Sequence, residues 1–159
     1  MSGVVIYVPR DSGALAAGAD RVARRIGEEA VARGIKARLV RNGSRGMFWL
    51  EPLVEVATPS GRIAYGPVTP DDVPALFDAG FHLGGAHALC LGPTEEIPYL
   101  KKQDRLVFAR MGIIDPLSIE DYEAHEGFAG LRRALAMAPE QIVQQVLDSG
   151  LRGRGGAAF

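Results

Sequence analysis

The chain opens with a strand pattern that is followed by an amphipathic helical pattern. Residues 4–8 are rich in β-branched side chains and end at Pro9, which predicts a strand. Between residues 15 and 30, apolar side chains recur at helical spacing, which predicts a helix that ends near Gly34. Further apolar runs bounded by turn residues predict strands over residues 35–40, 53–58 and 63–65.

A second helix is predicted to begin at Thr69. Thr69 suits the N-cap position, and Pro70 suits the first helical position because its fixed φ is already helical. Asp71 and Asp72 place carboxylates near the positive end of the helix. The predicted order of elements over residues 1–80 is therefore β-α-β-β-β-α.

The sequence divides into three predicted parts. Residues 1–80 form an α/β domain, and the glycines and prolines of residues 81–98 predict a linker. Residues 99–159 follow as a mainly helical part, in which Ser118 is predicted to cap a helix. Residues 139–147 are predicted to form a short amphipathic helix, with Pro139 in its first turn and Gly150 at the left-handed position that follows its last turn.

Charge and hydropathy exclude several classes of function. The 159 residues include 18 basic and 19 acidic side chains, a net charge of −1, so nothing attracts the chain to nucleic acid or to an anionic membrane. The hydrophobic content of 47% is normal for a globular protein. Since no apolar run could cross a bilayer and the first residues lack a signal-peptide pattern, we expect a cytoplasmic location.

The residues that could bind a metal or catalyse a reaction form no recognisable set. Cys90 is the only cysteine, which excludes an internal disulfide and an all-cysteine metal site within these residues. His82 and His87 lie near it in the sequence, but their spacing matches no zinc pattern. Glu95 and Glu96 are interpreted as surface charges. We therefore predict no catalytic residue and no metal ligand.

The last eleven residues, Ser149 to Phe159, are the most informative segment of the chain. In this segment glycines alternate with Arg152 and Arg154. Glycine lets the backbone approach a ligand closely, and arginine offers a fixed fork of donors to phosphate. Successive N–H groups of such a loop can form a nest for an anion, although composition alone favours a mobile tail.

This glycine-rich segment resembles the flavin-binding signature of the NADH-oxidising flavoprotein subunits of respiratory Complex I, NAD-linked hydrogenases and NAD-linked formate dehydrogenases. The resemblance implies that FMN and NAD(H) are the cofactors, and that the loop holds the phosphate and ribityl region of FMN while facing the nicotinamide. It also implies a [4Fe–4S] cluster whose cysteines lie only beyond residue 159. The resemblance assigns these cofactor-binding residues: Gly153, Arg154, Gly155, Gly156 and Phe159.

Residues 42–56 and 65–70 resemble the thioredoxin-like [2Fe–2S] ferredoxin domains that accompany these flavoproteins. In cluster-bearing relatives, two cysteines occupy the positions of Ser44 and Phe48, and another pair follows the first strand, where residues 9–13 supply none. Neither serine nor phenylalanine replaces a thiolate ligand of iron, so we expect no [2Fe–2S] cluster. We expect residues 47–50 to form an exposed docking patch; the alternative is that they fill the core of the domain.

The predicted fold class is therefore α/β: a thioredoxin-like ferredoxin domain without its cluster, followed by the helical segment that leads into a Complex I-type flavoprotein domain. Residues 7–12 and 95–103 resemble in particular the β subunit of cytoplasmic NAD-linked, molybdenum-containing formate dehydrogenases. This resemblance implies a diaphorase-type subunit that passes electrons between iron–sulfur clusters, FMN and NAD. Its implied partners are a cluster-bearing α subunit and a small γ-type ferredoxin subunit.

Three alternatives remain open at this point. The chain could belong to the diaphorase subunit of an NAD-reducing hydrogenase or to a Complex I flavoprotein subunit. It could be a non-catalytic module that docks on partner subunits. It could also be an autonomous phosphate-binding protein that uses its arginine–glycine loop alone. Under the favoured interpretation, we expect these 159 residues on their own to be inactive.

Overall fold

A computed structural model describes residues 3–157, and the chain divides into two compact units after Asp121. The strands are β1 (Val4–Tyr7), β2 (Ala37–Val40), β3 (Val54–Thr58), β4 (Gly61–Tyr65) and β5 (Cys90–Pro93). The helices are α1 (Ser12–Ala16), α2 (Ala19–Ala32), α3 (Val73–Asp78), α4 (Pro98–Lys101), α5 (Ile119–Ala124), α6 (Ala129–Leu135) and α7 (Pro139–Asp148).

The five strands form one sheet in the order β2-β1-β3-β4-β5. β1 and β2 are parallel, as the helical connection between them allows, and the other neighbouring strands are antiparallel. A βαβ unit followed by a hairpin and a helix, with β1 and β3 at the centre, is the thioredoxin-like topology. The predicted fold class is therefore confirmed.

The sheet has two different faces because alternate side chains of a strand point to opposite sides. On one face, Ile6 is in register with Val56, and Val56 with Ile63. These side chains pack against the apolar faces of α2 and α3, which contribute the fully buried Ile26 and Leu76. This contact forms the main hydrophobic core.

Local signals in the sequence explain where the helices begin and end. The single helix predicted over residues 15–30 is divided into α1 and α2, because Gly18 adopts a left-handed φ of +101°. Gly34, with φ of +66°, follows the end of α2 as predicted. Thr69 is the N-cap, as predicted, of a helical turn over residues 70–72 that leads into α3. The Asp72 carboxylate accepts hydrogen bonds from the Thr69 N–H at 2.8 Å and from its hydroxyl at 2.6 Å.

The segment predicted as a linker, residues 81–98, lies within the sheet unit. The ring of Phe81 is fully buried and makes an edge contact with Tyr65, and β5 extends the sheet beyond β4. Glycines of residues 81–98 form tight turns, as at Gly84 with φ of +85°. The structure thus differs from the predicted division, since the first compact unit continues to Asp121.

Residues 122–157 belong to the second unit, whose main elements are α6 and α7. Neither helix buries a residue. α7 begins as predicted with Pro139 at its first position, and the Gln141 side chain accepts a hydrogen bond from the Ala138 N–H at 3.0 Å. Over residues 3–157, no helix combines the length and the apolar character needed to cross a membrane.

Candidate functional site

The glycine–arginine loop begins where the sequence places it, directly after α7. Gly150 adopts a left-handed φ of +64° and its N–H donates to the Leu147 carbonyl at 3.1 Å, which ends the helix. The Ser149 hydroxyl donates to the Val146 carbonyl at 2.7 Å and accepts from the Leu151 N–H at 3.2 Å. The chain therefore leaves the helix in a defined direction.

The remainder of the loop is open to solvent. Arg152, Arg154 and the glycines between residues 153 and 156 are all exposed. A Cβ built on Gly155 or Gly156 would have no heavy atom within 4 Å. Backbone N–H groups and guanidinium donors on such a segment are the correct chemistry for a phosphate. The donor set therefore fits the phosphate end of FMN, although within residues 122–157 nothing closes over the opposite side.

The assignment of individual cofactor-binding residues stays a prediction. Gly153, Arg154, Gly155 and Gly156 lie together in the exposed loop. Phe159, assigned to the nicotinamide side, lies outside the described residues.

Ser44 is one of the two positions at which the ferredoxin resemblance implies a cysteine. In the sheet unit, Ser44 belongs to a buried polar network. The Ser44 hydroxyl donates to Glu51 Oε1 at 2.7 Å and accepts from the Gly46 N–H at 2.9 Å. Glu51 Oε2 accepts from the Leu53 N–H at 3.0 Å. Burial raises the pKa of the Glu51 carboxyl, and the negative charges of Asp11 and Glu55 raise it further, against these hydrogen bonds.

The second position, Phe48, contacts the loop that follows β1. A Cβ built on Gly13 would lie 3.2 Å from the Phe48 ring, and the neighbouring Asp11 caps α1 by accepting from the Ala14 N–H at 2.9 Å. The two loops that carry cysteines in cluster-bearing relatives are thus joined here by an aromatic contact. Both loops are therefore stabilised by contacts within the protein.

The predicted docking patch is exposed only in part. Phe48 and Trp49 are 65% and 61% exposed, as expected. Met47 is fully buried beside Leu53, so its predicted exposure is wrong. The reason is that residues 48–50 form one helical turn, which directs Met47 inward.

Sequence reasoning missed one member of this surface. Tyr99, at the start of α4, packs edge-on against Trp49 with ring centroids 5.1 Å apart. The two residues are fifty positions apart, and only the turn at residues 94–96 brings α4 to this place. We define the aromatic patch as Phe48, Trp49 and Tyr99.

The histidines and Cys90 form no ligand set in the described part of the chain. Between residues 3 and 157, no three His, Cys, Asp or Glu side chains are grouped as a metal site would require. His82 stacks on Phe77, and burial lowers the pKa of its imidazole, with the charge of Arg33 adding to the effect. Cys90 lies beside Tyr65, whose hydroxyl donates to the Gly85 carbonyl at 2.7 Å.

Glu95 is an exposed carboxylate, as predicted, but it also has a specific partner. Its Oε1 accepts a hydrogen bond from Nη1 of the buried Arg45 at 2.7 Å. The arginine belongs to a loop fifty positions earlier, so local sequence gave no signal for the pair.

Comparison with known proteins finds relatives for part of the chain, whereas no protein-family model matches it. The chain is 52% identical over 59 residues to the NADP-reducing hydrogenase subunit HndC of Solidesulfovibrio fructosivorans, which covers 37% of this chain and 12% of that protein. It is 57% identical over 42 residues to a NADH-quinone oxidoreductase subunit of Streptomyces coelicolor, a match that covers 26% of this chain and 9% of that protein. The corresponding subunit of the Escherichia coli enzyme is 47% identical over 45 residues, covering 28% and 10%.

The chain therefore shares partial homology with subunits of oxidoreductases. It spans about a tenth of the length of these relatives. By their names, the relatives are subunits of larger enzymes that act with NADP or NADH.

Among solved structures, the chain is similar to the thioredoxin-like [2Fe–2S] ferredoxin of Aquifex aeolicus. A structure at 1.5 Å resolution has 19% identity and a TM-score of 0.47, over 58% of this chain and 99% of that one. A second has 19% identity and a TM-score of 0.48, over 58% and 93%. With one cysteine in its whole length, this chain cannot supply four thiolates to a [2Fe–2S] cluster.

Proposed function

We propose that the chain belongs to a diaphorase-type subunit that passes electrons between iron–sulfur clusters, FMN and NAD in a multi-subunit oxidoreductase. The observation that carries this proposal is the exposed glycine–arginine loop, placed by Gly150 at the end of α7. The partial homology to hydrogenase and NADH-quinone oxidoreductase subunits supports it.

In this proposal, the loop binds the phosphate end of the flavin. Backbone N–H groups at Gly153, Gly155 and Gly156 donate to phosphate oxygens, and the Arg154 guanidinium supplies a charged fork. Side chains are absent at the glycines, so the ligand can lie directly on the backbone. When bound, FMN exchanges single electrons with clusters and a hydride with NAD.

The sheet unit has a supporting role in this proposal. Its Ser44–Glu51 network and its Phe48 contact hold the loops without iron, so the unit contributes no redox centre of its own. The aromatic patch of Phe48, Trp49 and Tyr99 is its docking surface, because exposed Trp and Tyr side chains are frequent anchors in protein interfaces.

Formate is the electron donor that we favour. Residues 7–12 and 95–103 resemble the β subunit of NAD-dependent molybdenum formate dehydrogenases, with a cluster-bearing α subunit and a γ-type ferredoxin subunit as partners. A hydrogenase diaphorase is the second candidate, favoured by the 52% identity to a hydrogenase subunit.

The test of the donor uses the native complex that contains this polypeptide, purified anaerobically through a tag on the polypeptide. NAD⁺ reduction is measured with formate, and then with hydrogen, as the only electron donor. Formate-dependent reduction without hydrogen-dependent reduction is the expected result. The reverse result supports the hydrogenase candidate, and the absence of both reactions, together with the absence of flavin, contradicts the proposal.

A further inference from the structure

The face of the sheet opposite α2 and α3 carries a buried charge. Glu55 of β3 is in register with Tyr7 and with Ala64, and the residue is 0% exposed. A buried carboxylate without a partner is strongly unfavourable, so neighbouring groups have to compensate its charge.

Two arginines provide this compensation. Arg45 donates from Nε to Glu55 Oε1 at 2.9 Å and from Nη2 to Oε2 at 2.8 Å, and Arg62 Nη1 lies 3.3 Å from the same Oε2. Burial lowers the pKa of Arg45, but its bonds to Glu55 and Glu95 raise that pKa above the ordinary value. We call Arg45, Glu55, Arg62 and Glu95 the Glu55 ion cluster; its formal charge is zero.

The cluster also binds a distant part of the backbone. Arg62 donates from Nη1 to the Gly112 carbonyl at 2.9 Å and from Nη2 to the Ile113 carbonyl at 2.7 Å. Asn42 donates to the same Gly112 carbonyl at 2.8 Å. The Arg62 guanidinium lies over the Tyr7 ring, 3.4 Å from its centroid, which fixes the orientation of the fork.

Gly112 is adapted to this contact. Its φ is +76°, and a Cβ at this position would lie 2.2 Å from Arg45 Cδ. By contrast, Leu106 and Val107 are 89% and 78% exposed, so the preceding residues are not held by the core. The segment 104–114 is thus attached to the sheet mainly at its end.

We propose that the Glu55 ion cluster is a conformational latch for this segment. With Glu55 charged and both arginine forks in place, residues 110–114 are held against the sheet. Loss of the Glu55 charge or of the Arg62 fork releases residues 104–114 as a strap, while the sheet itself stays folded. The latch depends on neither flavin nor NAD.

Hydrogen exchange measured by mass spectrometry on the 159-residue chain tests this proposal. Glu55→Gln removes the charge at nearly constant shape, and Arg62→Lys keeps the charge but loses the fork. In both variants we expect the amides of Ile113 and Ile114, which donate to the Arg110 carbonyl, to exchange about tenfold faster. Peptides of β3 and β4 should keep their wild-type rates in Arg62→Lys. In Glu55→Gln, which leaves the buried Arg45 without its charged partner, they should accelerate less than residues 104–114. Asp78→Asn, which removes an exposed partner of Arg33, is the control.

Gly112→Ala tests the latch by changing the segment instead of the ion cluster, because the new methyl group displaces Arg45. It should accelerate exchange in residues 104–114 as the first two variants do. Wild-type exchange of this segment in Arg62→Lys contradicts the proposal. Equal acceleration of the segment and of β1 and β3 in all three variants also contradicts it, because the cluster would then stabilise only the whole fold. If Glu55→Gln does not fold, the exchange rates of Arg62→Lys and Gly112→Ala test the proposal.

Discussion

The two units differ in how far the apolar side chains of their helices are buried. In the sheet unit, α2 and α3 bury side chains such as Ile26 and Leu76 against β1, β3 and β4. In the second unit, α6 and α7 leave theirs uncovered, with Leu135 78% exposed and Leu147 67% exposed. Both pairs of helices have clear helical patterns in the sequence.

This difference shows that a helical pattern predicts the face to be buried but not the surface that buries it. The sheet supplies that surface for α2 and α3. Within residues 122–157 no element does the same for α6 and α7. Under the proposed function, the remainder of a flavoprotein fold covers them, which agrees with the small share of each relative that the chain spans.

The largest effect is expected from Arg45→Met. The substitution leaves Glu55 without its bidentate partner on the buried face of the sheet, and removing one member of a buried ion pair costs about 3–5 kcal/mol. Chemical denaturation followed by Trp49 fluorescence measures this loss. Arg33→Met, which breaks surface ion pairs with Glu29 and Asp78, is the matched control and should change stability much less. Equal losses would show that Glu55 is not effectively buried.

A pair of leucine truncations compares the two units directly. Leu76→Ala in α3 creates a cavity in the main core and should cost about 2–5 kcal/mol of unfolding free energy. Leu135→Ala in α6 removes an exposed side chain and should change it by less than about 0.5 kcal/mol. Thermal and chemical unfolding followed by circular dichroism measures both. A large loss for Leu135→Ala would mean that α6 is buried in this chain.

Glu51→Gln should change the pH dependence of stability. The pKa of Glu51 is raised above 4.5 in the folded state, so the folded chain holds this proton more tightly than the unfolded chain. Ionisation of Glu51 therefore lowers the stability of the wild type as pH rises from 4.5 through the folded pKa. Across this range the stability of Glu51→Gln should rise relative to wild type.

This prediction is tested by how the difference in unfolding free energy between Glu51→Gln and the wild type changes with pH. The constant offset between the two proteins also contains the lost hydrogen bond from the Leu53 N–H. A pH-independent difference between Glu51→Gln and wild type would contradict the raised pKa.

A small effect on folding is also expected from Trp49→Ala. Trp49 is exposed and touches Tyr99 at one edge, so its removal should cost less than about 1 kcal/mol. In the native complex, the same substitution should reduce the amount of α subunit retained by the tagged polypeptide. Leu83→Ala, at another exposed apolar residue of the sheet unit, is the control. Unchanged retention in Trp49→Ala would remove the aromatic patch from the docking surface.

Local patterns predicted those parts of the structure that depend on near neighbours in the sequence. The strands β1 to β4, the Thr69 cap and the left-handed Gly150 are of this kind. β5 was missed because Gly92 and Pro93 interrupt its apolar pattern, which an edge strand tolerates.

Features that depend on distant partners could not be predicted. Arg62 reaches Gly112 across fifty positions, and Trp49 meets Tyr99 across the same separation. Met47 is buried because a helical turn directs it inward. The burial of Glu55 depends on Arg45 and Arg62, and no local pattern indicates either contact. The assignment of the glycine–arginine loop to flavin rests on resemblance and stays a prediction, and the described residues around the loop leave it exposed.

The flavin content of the native complex tests the central claim most directly. The complex is purified anaerobically from cells that carry wild-type polypeptide, Arg154→Ala or the control Arg133→Ala, an exposed arginine of α6. FMN released from each preparation is measured relative to the polypeptide. The account predicts stoichiometric FMN in wild type and control, with clear loss in Arg154→Ala because a charged fork to the phosphate is missing. A wild-type complex that contains no flavin, or full FMN in Arg154→Ala, would contradict it.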